Sequence, residues 1–233
     1  NLHPNVFVTH ESDMVWLLYQ LSRGERPRAH PWDGPAGLNA TMRDCRDLLD
    51  ALPPSWDVAE QFERLQLHLM KTRRGFDRDL HWLGDKKSVQ QADPQLQPFV
   101  DAHFPGARFI HMTRHPRAVV ASMVKAGRQW QVPVPYWREG AEHILERWIE
   151  HERWALAVDG PVLRLRFEDL CADPAGAMRR AFQFLDVDNT TALEREAAAM
   201  TKPDPDRKHA DFALPPSADA EKLMQRYDYR IDA

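Results

Sequence analysis

Apolar and polar positions change period several times along the chain, and each change marks an element. Residues 6–10 (VFVTH) form a short apolar run that predicts a strand. Ser12 or Asp13 can cap the helix expected for residues 14–21 (MVWLLYQL), which ends near Gly24. Residues 23–37 carry Pro27, Pro31, Pro35 and three glycines and predict a loop. Leu38, Met42, Cys45 and Leu49 recur at helical spacing, as do Val58, Phe62, Leu65 and Leu69 beyond the Pro53-Pro54 break. Residues 80–83 are short and apolar and predict a strand leading into Gly84-Asp85-Lys86-Lys87. A helix is expected over 93–103, with Asp93 as cap and Pro94 in its first turn.

The sharpest unit follows. Residues 108–113 (RFIHMT) predict a buried strand, Arg114-His115 turn the chain, and Pro116 opens a helix that Gly127 should stop. Residues 130–140 read as an aromatic, proline-rich loop and residues 142–158 as a helix. In 161–167, Leu163, Leu165 and Phe167 alternate with Arg164 and Arg166, as a strand requires. Asp173-Pro174 cap a helix whose Met178, Ala181, Phe182 and Leu185 share a face, and Ser217 caps a last helix through Met224. Strands alternating with helices predict a three-layer α/β/α fold with a parallel sheet, as one domain over 1–233. The helices between 38 and 74 are expected to form an insertion beside that sheet.

Composition narrows the function. With 43% hydrophobic residues in 233, the chain can bury one core, and a net charge of -4 argues against a nucleic-acid binder relying on bulk positive charge. Any anion must be held by local cations. No apolar run approaches the roughly 18 residues of a membrane span, and no signal peptide is visible. Cys45 and Cys171 form no CxxC pair, which suits a reducing cytoplasm. Eleven histidines include no pair at metal-binding spacing, so no metal is expected.

Local chemistry concentrates at Arg114 and Ser122. The C-terminal edge of a parallel sheet is where such folds bind ligands, and a helix start offers unpaired N–H groups to an anion. Arg114 adds a planar, permanent cation there, and Ser122 a hydroxyl two turns on. The alternative is a surface arginine in a turn and a serine packed on backbone.

The segment FIHMTRHPRAVVASMVKAG resembles the 3′-phosphate-binding segment of sulfotransferases, enzymes that use 3′-phosphoadenosine 5′-phosphosulfate (PAPS). Downstream, VLRLRFEDLCADPAGAMRRAFQFLDV resembles the family's strand, acidic-Leu turn and Asp-Pro-capped helix. The resemblance implies that Arg114 and Ser122 hold the donor's 3′-phosphate. Gly84-Asp85-Lys86-Lys87-Ser88 resembles the family's Lys-Thr-Pro turn, which implies that Lys86 meets the donor near the transferred group. Lys87-Ser88 departs from that pattern, so Lys87 can share the role; the alternative is a solvated basic turn. His3-Pro4 followed by Glu11 matches the tyrosine-sulfotransferase-like branch, in which a Glu eight residues after the His is the general base. His10 is the rival base, and support of the following helix is the rival role for Glu11.

The resemblance implies a P-loop fold and transfer of a sulfuryl group to a hydroxyl or amine of a small-molecule, peptide or glycan acceptor, without metal. The family's Gly-x-x-[Arg/Lys]-Ser-Gly loop occurs nowhere in 1–233. The expectation is therefore a chain truncated at its N-terminus, one that binds the nucleotide end weakly and turns over little by itself. Another P-loop small-molecule kinase and a non-catalytic sulfotransferase-like remnant remain as alternatives. Trp130, Tyr136 and Trp137 are candidate acceptor-pocket residues or core anchors. Trp148 and Trp154 read as packing, and 202–208 as a solvated loop.

Overall fold

The computed structural model describes residues 3–32, 35–74, 80–87, 90–130, 140–201 and 209–229. Ser88, Tyr136, Trp137 and the 202–208 loop lie outside the described residues, as does the side chain of Trp130. Parallel strands and helices give a mixed α/β fold. The chain divides into two compact units, Asn1–Ala107 and Arg108–Ala233.

In the first unit, strands β1 (Val6–His10) and β2 (Trp82–Lys86) pair in parallel, with Val8 opposite Gly84 and His10 opposite Lys86. The unit's helices are α1 (Met14–Ser22), α2 (Ala36–Asp44), α3 (Arg46–Asp50), α4 (Val58–Arg74) and α5 (Leu96–His103), and α4 packs against both strands. Helix α1 is apolar almost all round, so it is buried as a core helix. Met14, Trp16, Leu18 and Tyr19 pack with Val58, Leu65 and Leu69 of α4 and with Leu96 and Phe99 of α5.

Three expectations shift here. The helical run through Leu49 breaks at Cys45, which leaves two short helices. Helix α5 starts at Leu96 because Asp93 serves a turn instead: its Oδ1 accepts from Gln95 N–H at 2.8 Å and its Oδ2 lies 3.1 Å from His30 Nε2. Gly84-Asp85-Lys86 belong to the strand rather than a turn, because β1 offers ladder partners as far as His10 and the Glu11 N–H donates to Lys86 O at 2.8 Å.

In the second unit, β3 (Phe109–Thr113) and β4 (Val162–Arg166) pair in parallel, Thr113 opposite Arg166. The helices are α6 (Pro116–Trp130), α7 (Ala141–Ala157), α8 (Phe167–Ala172), α9 (Pro174–Leu185), α10 (Thr191–Met200) and α11 (Ala218–Arg226). Pro116 opens α6 as expected, but the helix runs through Gly127 to Trp130, since an interior glycine costs only about 1 kcal/mol. Phe167 starts α8 instead of ending the strand. Strand β3 is not buried throughout: Ile110 and Met112 are 43% and 44% exposed, while His111 and Thr113 face polar partners on the other side. Asp173 caps α9 by accepting from Gly176 N–H at 2.9 Å, with Pro174 in the first turn, and Ser217 caps α11. Helix α10 was not anticipated; its signal is Thr190, whose hydroxyl accepts from Leu193 N–H.

Among the described residues no helix is long and apolar enough to cross a membrane, and no group of three His, Cys, Asp or Glu is placed to hold a metal ion. Cys45 is buried and Cys171 partly so, and neither is in a disulfide.

Candidate active site

At the ends of β1 and β2 the chain makes an unusual turn. Glu11 has φ 52° and Asp13 φ 55°, both in the left-handed region that non-glycine residues rarely occupy. The N-cap position of α1 is Asp13, and no acidic residue lies in the first helical turn. Glu11 therefore stands outside the helix, and its carboxylate goes elsewhere: Lys86 Nζ donates to Glu11 Oε1 at 2.9 Å.

Partial burial pushes the Glu11 carboxyl upward. The Lys86 hydrogen bond and charge, helped by Lys87 and His10, outweigh that and bring it below its ordinary value of 4.5. Glu11 is thus an ionised acceptor at neutral pH with nearly half its side chain open to solvent. His10, the rival base, is exposed and makes no hydrogen bond among the described residues. His3 is buried, its Nδ1 accepting from Asn5 N–H at 3.1 Å.

Lys87 takes the opposite side. Its ammonium lies 3.0 Å from Asp13 Oδ1, and both side chains are almost wholly buried. Gln90 Nε2 donates to the same oxygen. Breaking such a buried pair on one side costs about 3–5 kcal/mol, so Lys87 is a structural cation here, whereas Lys86 reaches solvent.

Beneath the turn sits Asp85, whose carboxyl is enclosed although the residue is partly exposed. Thr9 Oγ1 and Ser12 Oγ both donate to its Oδ1 at 2.7 Å, and Gln66 Nε2 donates to Thr9 Oγ1 and Gly84 O, each at 2.9 Å. Burial, aided by Asp13, raises Asp85 above its ordinary value; the two hydroxyls and the Val15 N–H only partly oppose that.

The second cluster lies in the other unit, where β3 passes into α6. The Arg114 guanidinium stacks over the Phe167 ring, 4.7 Å from its centroid. Trp148 Nε1 donates to Arg114 O at 3.2 Å, which ties the junction to α7. The His115 N–H donates to Glu168 Oε1 at 2.8 Å, and Tyr229 Oη donates to Glu168 Oε2 at 2.8 Å. Burial and then the Glu168 charge push the Tyr229 phenol far up, so it stays a donor. Ser122 lies half-buried on α6, two turns into the helix. Below this junction, Thr113 Oγ1 donates to the buried carboxylate of Glu152 at 2.8 Å, with His111 Nε2 at 3.4 Å from the other oxygen. A cavity of about 500 Å³ opens beside them, lined by Thr113, Arg164, Arg166, Arg226 and Tyr227 among others.

The structure thus joins Glu11 to Lys86, while His10 makes no hydrogen bond among the described residues and acts on Glu11 through charge alone. Arg114 precedes α6, and Ser122 lies two turns into it. Sequence reasoning missed the Asp13–Lys87 pair and the enclosed Asp85, because both depend on partners more than 70 residues away. Glu168 had a signal in its acidic-Leu turn.

A model of the sulfotransferase family matches residues 1–192. No match to a curated protein was found. The fold is similar to the sulfotransferase domain of the curacin biosynthetic pathway, with a TM-score of 0.57 at 16% identity over 97% of each chain. It is equally similar to the sulfotransferase domain of the Synechococcus PCC 7002 olefin synthase, with a TM-score of 0.57 at 20% identity over 98% of this chain and 96% of that one. A sulfotransferase from Alicyclobacillus acidocaldarius gives 0.50 at 16% identity, over 97% of this chain and 81% of the other. At these identities the likeness is one of fold.

Proposed function

The chain belongs to the sulfotransferase family, and from that premise we propose that it moves a sulfuryl group from PAPS to a hydroxyl or amine of an acceptor. The observation that carries this reading is the Glu11–Lys86 pair: an ionised carboxylate and an ammonium, 2.9 Å apart and both open to solvent, at the C-terminal ends of two parallel strands.

In this reading Glu11 accepts the proton of the acceptor hydroxyl as its oxygen attacks sulfur. A new S–O bond forms, the bond from sulfur to the bridging phosphate oxygen breaks, and the nucleotide leaves as 3′-phosphoadenosine 5′-phosphate. Lys86 offers positive charge to the oxygens on which negative charge grows, and it keeps Glu11 ionised until the proton arrives. Positioning and electrostatics supply most of the rate, as in phosphoryl transfer.

Arg114 and Ser122 take the nucleotide's 3′-phosphate. What supports this is a permanent cation at a strand-to-helix junction, with its plane held by Phe167. The His115 N–H is already committed to Glu168, so the junction offers the guanidinium and not that amide.

The test is transfer of radiolabelled sulfate from PAPS by the full-length protein to a panel of phenols, aliphatic alcohols and amines, with calorimetry of 3′-phosphoadenosine 5′-phosphate binding. Nucleotide binding that weakens in Arg114→Ala, together with transfer that fails in Glu11→Gln, is the expected result. Nucleotide binding without transfer to any acceptor class supports a non-catalytic remnant, and no nucleotide binding overturns the reading.

A further inference from the structure

We infer that the start of α2 is a splint for the Glu11 carboxylate, with Gly37 and Thr41 as positioning residues; the catalytic part of this inference rests on the base assigned to Glu11 above.

The 11–13 turn does not hold itself. Two of its three residues adopt left-handed backbone, which persists only where the surroundings over-determine it. On one side Lys87 and Gln90 catch Asp13 Oδ1. On the other side α2 supplies the restraint. Thr41, fully buried, donates its hydroxyl to Ser12 O at 2.6 Å. Gly37 lies against the turn so closely that a Cβ there would fall on the Glu11 carbonyl oxygen and 2.7 Å from Asp13 Oδ2. Only a residue without a side chain lets α2 approach this far.

Lys86 and Lys87 are adjacent at the end of β2, and they bind Glu11 and Asp13 respectively. The turn is therefore gripped at both of its carboxylates, and α2 fixes the backbone between them. A displacement of that backbone carries the Glu11 carboxylate away from Lys86.

Gly37→Ala, Thr41→Val and Thr41→Ser change no charge, so they leave the cations around Glu11, namely Lys86, Lys87 and His10, as they are. Any change in the titration of Glu11 then reports geometry. The first two variants should move the Glu11 carboxyl upward in a ¹³C titration, because burial remains while the Lys86 contact is lost. They should also lower kcat by about a hundredfold, the scale of a misplacement near 1 Å, with donor affinity unchanged. Thr41→Ser keeps the hydroxyl and should behave like the parent. If Gly37→Ala fails to fold, the Thr41 pair decides.

Folded variants with an unchanged Glu11 titration overturn the splint. Where Glu11 moves and turnover does not, the splint stands and the base assignment fails. Where Glu11→Gln abolishes turnover while Gly37→Ala and Thr41→Val leave titration and rate alone, the base stands and the splint fails.

Discussion

Lys86 Nζ and Glu11 Oε1 lie 2.9 Å apart although 75 residues separate them, because β1 and β2 run in parallel and end side by side. The pair is about half exposed, so it adds little to stability. Its consequence is chemical, since it sets the charge and the aim of one carboxylate.

Glu11→Gln should lower turnover by about 10²–10⁴-fold and leave nucleotide affinity nearly intact, since Gln keeps the shape but takes no proton. Acidic phenols should lose less than aliphatic alcohols. His10→Asn is the control. Loss of activity in His10→Asn with full activity in Glu11→Gln, each with a parental melting curve, reverses the two roles.

The pH profile separates the same two bases. A carboxylate depressed below 4.5 stays ionised as pH falls from neutrality, so the acid limb of kcat/KM set by Glu11 lies below 4.5. In Lys86→Met, burial dominates and the Glu11 limb should move upward. A parental acid limb that vanishes in His10→Asn and is unmoved in Lys86→Met would exclude Glu11.

Arg114→Ala should weaken nucleotide binding much more than acceptor binding. A hydrogen bond to a charged group is worth about 1.5–3 kcal/mol, or roughly tenfold to a hundredfold in Kd. Ser122→Ala should act in the same direction and more mildly. Calorimetry with 3′-phosphoadenosine 5′-phosphate reads both. Unchanged affinity in a folded Arg114→Ala protein removes Arg114 from the site.

Core and surface should respond very differently. Leu69 is fully buried in the cluster around α1, so Leu69→Ala should cost about 2–5 kcal/mol in denaturant unfolding. Met200, 70% exposed, should tolerate Met200→Ala within about 0.5 kcal/mol. Equal effects would contradict the burial of α1 against α4.

Local patterns foretold what local physics decides. The strand at 6–10, the Pro116 helix start and the Asp173 and Ser217 caps each rest on residues within a turn of one another. The misplaced boundaries trace to distant partners: Asp93 is drawn to His30, and Lys86 enters a ladder with β1. Glu11 and Lys86 were singled out one by one through the family resemblance, while their contact follows from strand register, which periodicity does not contain. Gly37 looked like one loop glycine among three; its meaning appears only once the Glu11 carbonyl lies against it.

The left-handed backbone at Glu11 sets two selection pressures against each other. A φ of 52° suits Gly or Asn better than Glu, and holding a longer side chain there costs on the order of 1 kcal/mol. A library at position 11 screened only for heat resistance should therefore enrich Gly and Asn. The same library screened for turnover should return Glu, and the distance between the two winners measures how much folding stability this chain gives up to keep a proton acceptor at that corner.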